Sequence, residues 1–185
     1  QVLAAHAEQA LAQGAPEDEL TADVRAGYTG VIAILRCGEG PTVAMRFDID
    51  ALPMTECLRD AHRPTREGFA SVNPGMMHAC GHDGHAAIGL GVARILMAHR
   101  DVLHGTVKLI FQPAEEGVRG AHAIVENGWL DDAAALLASH VAPTGKADDG
   151  DVTAGTWGSL ATTKYDVAFT GRAAHAGGFP EQGKN

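Results

Sequence analysis

The sequence predicts an α/β fold, a mixed and largely parallel sheet flanked by helices, on three observations. Short apolar runs alternate with segments of helical periodicity, turn residues separate them, and acidic residues or histidine follow three of the runs. Residues 2–12 (VLAAHAEQALA) read as a helix that Gly14-Ala15-Pro16 ends. Gly30 leads into an apolar strand at 31–35, and Gly38-Glu39-Gly40-Pro41 forms a turn before a second strand at 42–49. Residues 53–77 are rich in Pro, Arg, Asp and Gly and read as a long surface loop, which in a compact domain usually serves function. From 85 to 99, Ile88, Val92, Ile95 and Leu96 recur at helical spacing, and Gly89 and Gly91 predict close packing against a neighbour. A strand at 105–111, a helix at 121–126 and a strand at 135–140 complete a β-α-β-α-β order with at least partly parallel strands. Ligands in such sheets sit beyond the carboxyl ends of the strands, where Asp48/Asp50, Glu115/Glu116 and His140 fall. Residues 162–170 alternate polar and apolar like a half-exposed antiparallel strand, which places a domain boundary near residue 160.

Composition excludes several functions. Fourteen Lys and Arg against 23 Asp and Glu leave 185 residues with a net charge of −9, and a chain this acidic is no nucleic-acid binder. A hydrophobic share of 45% with mean hydropathy −0.05 excludes a disordered or membrane-embedded chain. No stretch reaches the roughly 18 uncharged apolar residues a spanning helix needs. Cys37, Cys57 and Cys80 are an odd number without framework spacing, which favours a reducing, cytoplasmic setting. The chain opens on Gln1 and stops at Gly183-Lys184-Asn185 with no element completed, so both ends read as cut.

The densest chemistry lies in His78-Ala79-Cys80-Gly81-His82-Asp83-Gly84-His85. A thiolate and an imidazole two positions apart (Cys80, His82) suit Zn²⁺ or another first-row divalent ion, and the glycines let the loop close round it. His78 and His85 read as residues that orient neighbours or start the following helix, and Asp83 as an acceptor for an imidazole N–H. Glu115 and Glu116, adjacent at a strand end, point in different directions. One can ligate a metal while the other faces the water it activates, as metal-assisted hydrolysis requires. His140 is a third candidate at a strand end. Asp48 and Asp50, two apart in a strand, share a face and read as supports for histidines more than as ligands. No second pair at CxxC or HxxxH spacing marks a closed structural zinc site.

These residues resemble a known family. DIDALP at 48–53, HACGHDGH at 78–85, FQPAEEG at 111–117, His140-Val141 and Gly171-Arg-Ala-Ala-His175-Ala, in this order, are similar to the M20 metallopeptidases. The match is to their aminoacylase/amidohydrolase branch of hippurate, indole-acetyl-amino-acid and N-acyl-amino-acid hydrolases. The spacings agree too, with 34 residues from His82 to Glu116 and 24 from Glu116 to His140. Residues 62–78, Leu109-Ile110-Phe111-Gln112 and Ala161-Thr162-Thr163-Lys164 are similar to the A-subunit type of p-aminobenzoyl-glutamate hydrolase within that branch.

The resemblance implies a zinc-peptidase-like catalytic domain over 1–160 and, at 161–185, the beginning of an inserted α+β lid and dimerisation domain. It implies a site for two divalent metal ions, Zn or Mn, held by Cys80, His82, Glu116 and His140, with Glu115 as general base. A further histidine ligand of the family lies outside this chain. In the inserted domain His175 would reach the partner's active site and stabilise the oxyanion, with Asn185 in the matching Gly-x-Asn stretch. The activity implied is metal-dependent hydrolysis of an N-acyl bond to an amino acid, p-aminobenzoyl-glutamate or a related small molecule, by a homodimer or heteromer. The alternative is a non-catalytic metal-binding or regulatory subunit of a heteromeric amidohydrolase. Glu115 separates the two, because a structural site has no need of it. Residues 1–185 alone, without the last ligand and most of the lid, are expected to be inactive.

Overall fold

The computed structural model describes residues 2–142, 150–153, 155, 158, 161–163, 165, 167–168, 170–175 and 177–184. The chain divides into two units, Gln1–Pro143 and Thr144–Asn185.

In the first unit, helix α1 (Val2–Ala12) and the short α2 (Ala22–Arg25) precede strands β1 (Val31–Arg36) and β2 (Thr42–Asp48). Short helix α3 (Arg63–Glu67) interrupts the long loop, α4 (His82–Ala98) and β3 (Thr106–Gln112) follow, and α5 (Gly120–Glu126) leads to β4 (Ala133–Ala138). The four strands form one sheet in the order β1-β3-β2-β4. β2 pairs in parallel with both β3 and β4, whereas β1 runs antiparallel to β3. The short β1–β2 turn and the helical crossovers α4 and α5 dictate this mix, since only a long connection returns a strand in parallel.

The core sits at β2 and β3. Ala44, Phe47, Leu109 and Ile110 are buried, and the Phe47 and Phe111 rings lie 5.6 Å apart on the face that α4 covers. A Cβ added at Gly89 of α4 would come within 2.9 Å of Phe47 and 2.6 Å of Phe111, so this glycine admits the rings. Gly91 has open space around it, and the close packing expected of both glycines holds only for the first.

The expected loop at 53–77 is an ordered excursion. Backbone bonds between Leu52 and Met77 (3.0 and 3.1 Å) close its neck. Inside, Glu56 accepts from the Ser71 amide at 2.6 Å and meets His62 at 2.8 Å.

In the second unit, Arg172 and Lys184 form an isolated antiparallel bridge, with a 3-10 turn at Pro180–Gln182. The strand expected at 162–170 is absent among the described residues of that stretch. Alternation specifies which face of a strand is wet but supplies no neighbouring strand to hydrogen-bond it. Residues 164, 166, 169 and Asn185 lie outside the described residues.

Candidate metal centre

Parallel pairing puts the carboxyl ends of β3, β2 and β4 on one edge, and each hands its next residues to the same place. β2 ends at Asp48, with Asp50 two residues on. After β3 the backbone turns sharply, with Ala114 and Val118 both in the left-handed region at φ 55°. Non-glycine residues pay about 1–2 kcal/mol there, and this strain brackets Glu115, Glu116 and Gly117. β4 ends at Ala138, so His140 stands two residues past the strand rather than closing it. α4 begins at His82, three residues earlier than its periodicity indicates, and so carries both His82 and His85. Gly81 caps it at φ 82°, and a Cβ there would lie 2.6 Å from Val141 Cγ2. Only glycine fits between the helix start and the His140 loop.

The hydrogen bonds determine which ring nitrogen carries each proton. His82 is fully buried and its Nδ1–H donates to the Asp50 carbonyl at 2.9 Å. In the neutral ring the lone pair is therefore on Nε2, which has no hydrogen-bond partner and is faced by Asp48 Oδ1 at 3.8 Å and by Glu115 Oε2 and Glu116 Oε1, each at 4.0 Å. His140 Nδ1–H donates to the Val141 carbonyl at 2.7 Å, which leaves its Nε2 lone pair 3.4 Å from Cys80 Sγ. Glu116 is anchored through its amide, which donates to Asp50 Oδ2 at 3.0 Å.

Donor atoms of Cys80, His82 and His140 lie within 4.8 Å of one another, as do those of His82, Glu115 and Glu116. A buried imidazole nitrogen with no hydrogen-bond partner, ringed by a thiol, a second imidazole and two carboxylates, fits a divalent cation. Burial, then the Glu116 hydrogen bond and the charges of Glu116, Glu115 and Asp48, push the Cys80 thiol up to about 11. A cation in the pocket would reverse that effect, because it stabilises the thiolate.

Beneath this layer is a buried ion pair. Asp48, 1% exposed, accepts from His85 Nδ1 and pairs with Arg46 Nη1 at 2.8 Å. Burial alone would raise its carboxyl, but the His85 bond and the charge of Arg46 outweigh it, and the carboxyl titrates below its ordinary range. His85 Nε2 accepts from the Val141 amide at 2.9 Å. Asp83, expected to receive an imidazole N–H, is exposed in the first turn of α4, and Asp48 and Asp50 take that role. His78 is exposed and its ring orients no neighbour among the described residues. Sequence reasoning missed Arg46 and Gln112, although Arg46 shares a strand face with Asp48 by period two.

The sequence pattern of peptidase family M20/M25/M40 matches residues 44–177. The chain belongs to this family. Over 96% of its length it is 55% identical to indole-3-acetyl-aspartic acid hydrolase of Enterobacter agglomerans. Over the same share it is 51% identical to the A-subunit of p-aminobenzoyl-glutamate hydrolase from Escherichia coli K12. It spans 40% of the length of each of these relatives. Among solved structures, a dinuclear metal-binding M20 peptidase of Bacillus subtilis, the YXEP protein, superposes with a TM-score of 0.56 at 44% identity. That alignment covers 63% of this chain and 31% of the other. The aminobenzoyl-glutamate utilization protein of Klebsiella pneumoniae gives a TM-score of 0.58 at 43% identity, over 76% of this chain and 29% of the other. These M20 structures share the mixed sheet with flanking helices.

Of the residues singled out from sequence, Cys80, His82, Glu115, Glu116 and His140 come together at the sheet edge. His175 belongs to the second unit, where its ring is exposed and its carbonyl accepts from Gly178 and Phe179 at 3.1 and 2.9 Å. Among the described residues no helix is long and apolar enough to cross a membrane.

Proposed function

We propose that the protein carrying this chain hydrolyses the amide bond of an N-acyl amino acid, with p-aminobenzoyl-glutamate or a close analogue as substrate. The observation that carries this reading is the pair of carboxylates, Glu115 and Glu116, facing the same nitrogen of a buried histidine, one with no hydrogen-bond partner, from equal distances. One of them can bind a metal. The other is available for proton transfer.

In this reading Cys80 Sγ, His82 Nε2, the Glu116 carboxylate and His140 Nε2 would hold two divalent ions, Zn or Mn, together with a ligand from outside this chain. When bound, such ions polarise the amide carbonyl and acidify water. Glu115 takes the proton of the attacking water and returns it to the leaving amine nitrogen. Asp50 keeps His82 in the Nδ1–H form and holds the Glu116 amide, so neither donor reorients during turnover. Residues 1–160 belong to the catalytic domain and 161–185 open a lid and dimerisation domain. From it His175 stabilises the oxyanion in the partner's site. The assembly is a homodimer or a heteromer, and the name of the Escherichia coli relative, one lettered component of a hydrolase, supports the heteromer. The acidic charge, the free cysteines and the relatives are consistent with a cytoplasmic enzyme.

The test uses the full-length protein, stripped with chelator and reloaded with Zn²⁺ or Mn²⁺. It is assayed on p-aminobenzoyl-glutamate, indole-3-acetyl-aspartate and N-acetyl amino acids. Metal-dependent release of the free amino acid from at least one is expected. Metal binding with no hydrolysis of any would favour the non-catalytic alternative.

A further inference from the structure

We propose that His85 is a positioning residue for His140, acting through the Val141 amide to aim the His140 ring at Cys80. This rests on the reading above, in which His140 is a ligand.

His85 is 2% exposed and Asp48 1%, so neither group has water as an alternative partner. The direction of the whole chain of bonds follows from chemistry. The Val141 amide can only donate, so His85 Nε2 carries the lone pair and the ring proton sits at Nδ1, against the Asp48 carboxylate. Val141 N–H meets that lone pair at 2.9 Å. The other end is rooted in the sheet centre, where Arg46 Nη1 pairs with Asp48 at 2.8 Å and Arg46 Nε donates to Gln112 Oε1 at 3.0 Å. His85 thus carries the rigidity of β2 and β3 to a loop that β4 no longer supports.

Val141 is the hinge between the two histidines. Its N–H is held by His85, and its C=O accepts from His140 Nδ1 at 2.7 Å. Orienting this one residue orients the His140 ring. Among the described residues, His140–Ala142 make no backbone–backbone hydrogen bond beyond the strand, and His85 holds the Val141 amide. Packing acts in the same sense. The His140 ring stands edge-on to His85, centroids 4.5 Å apart at 81°, and Gly81 leaves room for the Val141 side chain.

Two substitutions separate positioning from space filling. In His85→Gln the amide oxygen reaches the place of Nε2 and can accept from Val141. In His85→Asn the side chain keeps a donor for Asp48 but stops short of Val141. Mn²⁺ alone is titrated calorimetrically into the metal-free full-length protein, with His140→Ala as reference. His85→Asn is expected to bind at least about tenfold more weakly and His85→Gln within about threefold of wild type, the range found when a ligand's support is removed or kept. Equal affinities for the two variants, whether both wild-type or both weakened, overturn the positioning role. An unchanged affinity in His140→Ala overturns the ligand reading, and this proposal with it. Hydrogen exchange at the Val141 amide of the wild-type protein needs no variant. Slow exchange supports the bond to His85, and exchange at the rate of an open loop overturns it.

Discussion

His82 donates its Nδ1–H to the carbonyl of Asp50, and the Asp50 carboxylate in turn accepts the amide of Glu116. One residue just past the end of β2 therefore sets the proton position of one donor and the backbone position of another. Asp50→Ala removes the second contact and leaves the first, which belongs to the main chain. Mn²⁺ affinity of the full-length protein is expected to fall about 10-fold or more with secondary structure intact. Titration of the metal-free protein checks this, and an affinity equal to wild type contradicts it.

Two glycines of α4 predict opposite outcomes. A methyl at Gly89 meets the Phe47 and Phe111 rings, whereas one at Gly91 meets nothing within 4 Å. Gly89→Ala is expected to cost about 1–3 kcal/mol through overpacking, despite the better helix propensity of alanine. Gly91→Ala is expected to gain up to about 1 kcal/mol. Urea unfolding midpoints of the two variants of the full-length protein give the comparison.

Acid should loosen the long loop before it reaches the sheet. The Ser71 amide, and after it His62, hold the Glu56 carboxyl below its ordinary value of 4.5. A depressed carboxyl contributes stability that is fully present above 4.5 and is lost as pH falls through the lower folded value. Proteolytic cleavage within 53–77 should therefore be slow at neutral pH and accelerate only below 4.5. In Glu56→Gln it should be several-fold faster at neutral pH, with that acid step gone. Identical pH profiles for the two proteins would count against the tie.

The order of elements and the edge that carries the site were legible because both follow from local pattern. Apolar runs ended in acids or histidine, and helical crossovers force parallel strands. Cys80, His82, Glu115, Glu116 and His140 announced themselves by residue type. What pattern could not show was which partner each makes. Asp83 is two positions from His85 in the chain, yet Asp48 on another element receives that imidazole, since a helix turns Asp83 away from the core. Gly89 and Gly91 look alike in sequence, and only the position of two phenylalanine rings tells them apart. Among the described residues of 162–170 no strand is present, and alternation says nothing about whether a neighbouring strand exists.

The division of labour between Glu115 and Glu116 is the centre of the account, and Glu115→Gln tests it most directly. Metal content and turnover of p-aminobenzoyl-glutamate are measured on the same full-length preparation. The account predicts wild-type metal content and a turnover lowered by about 10²–10⁴, the contribution of a general base. Wild-type turnover in a fully metal-loaded Glu115→Gln protein would contradict it.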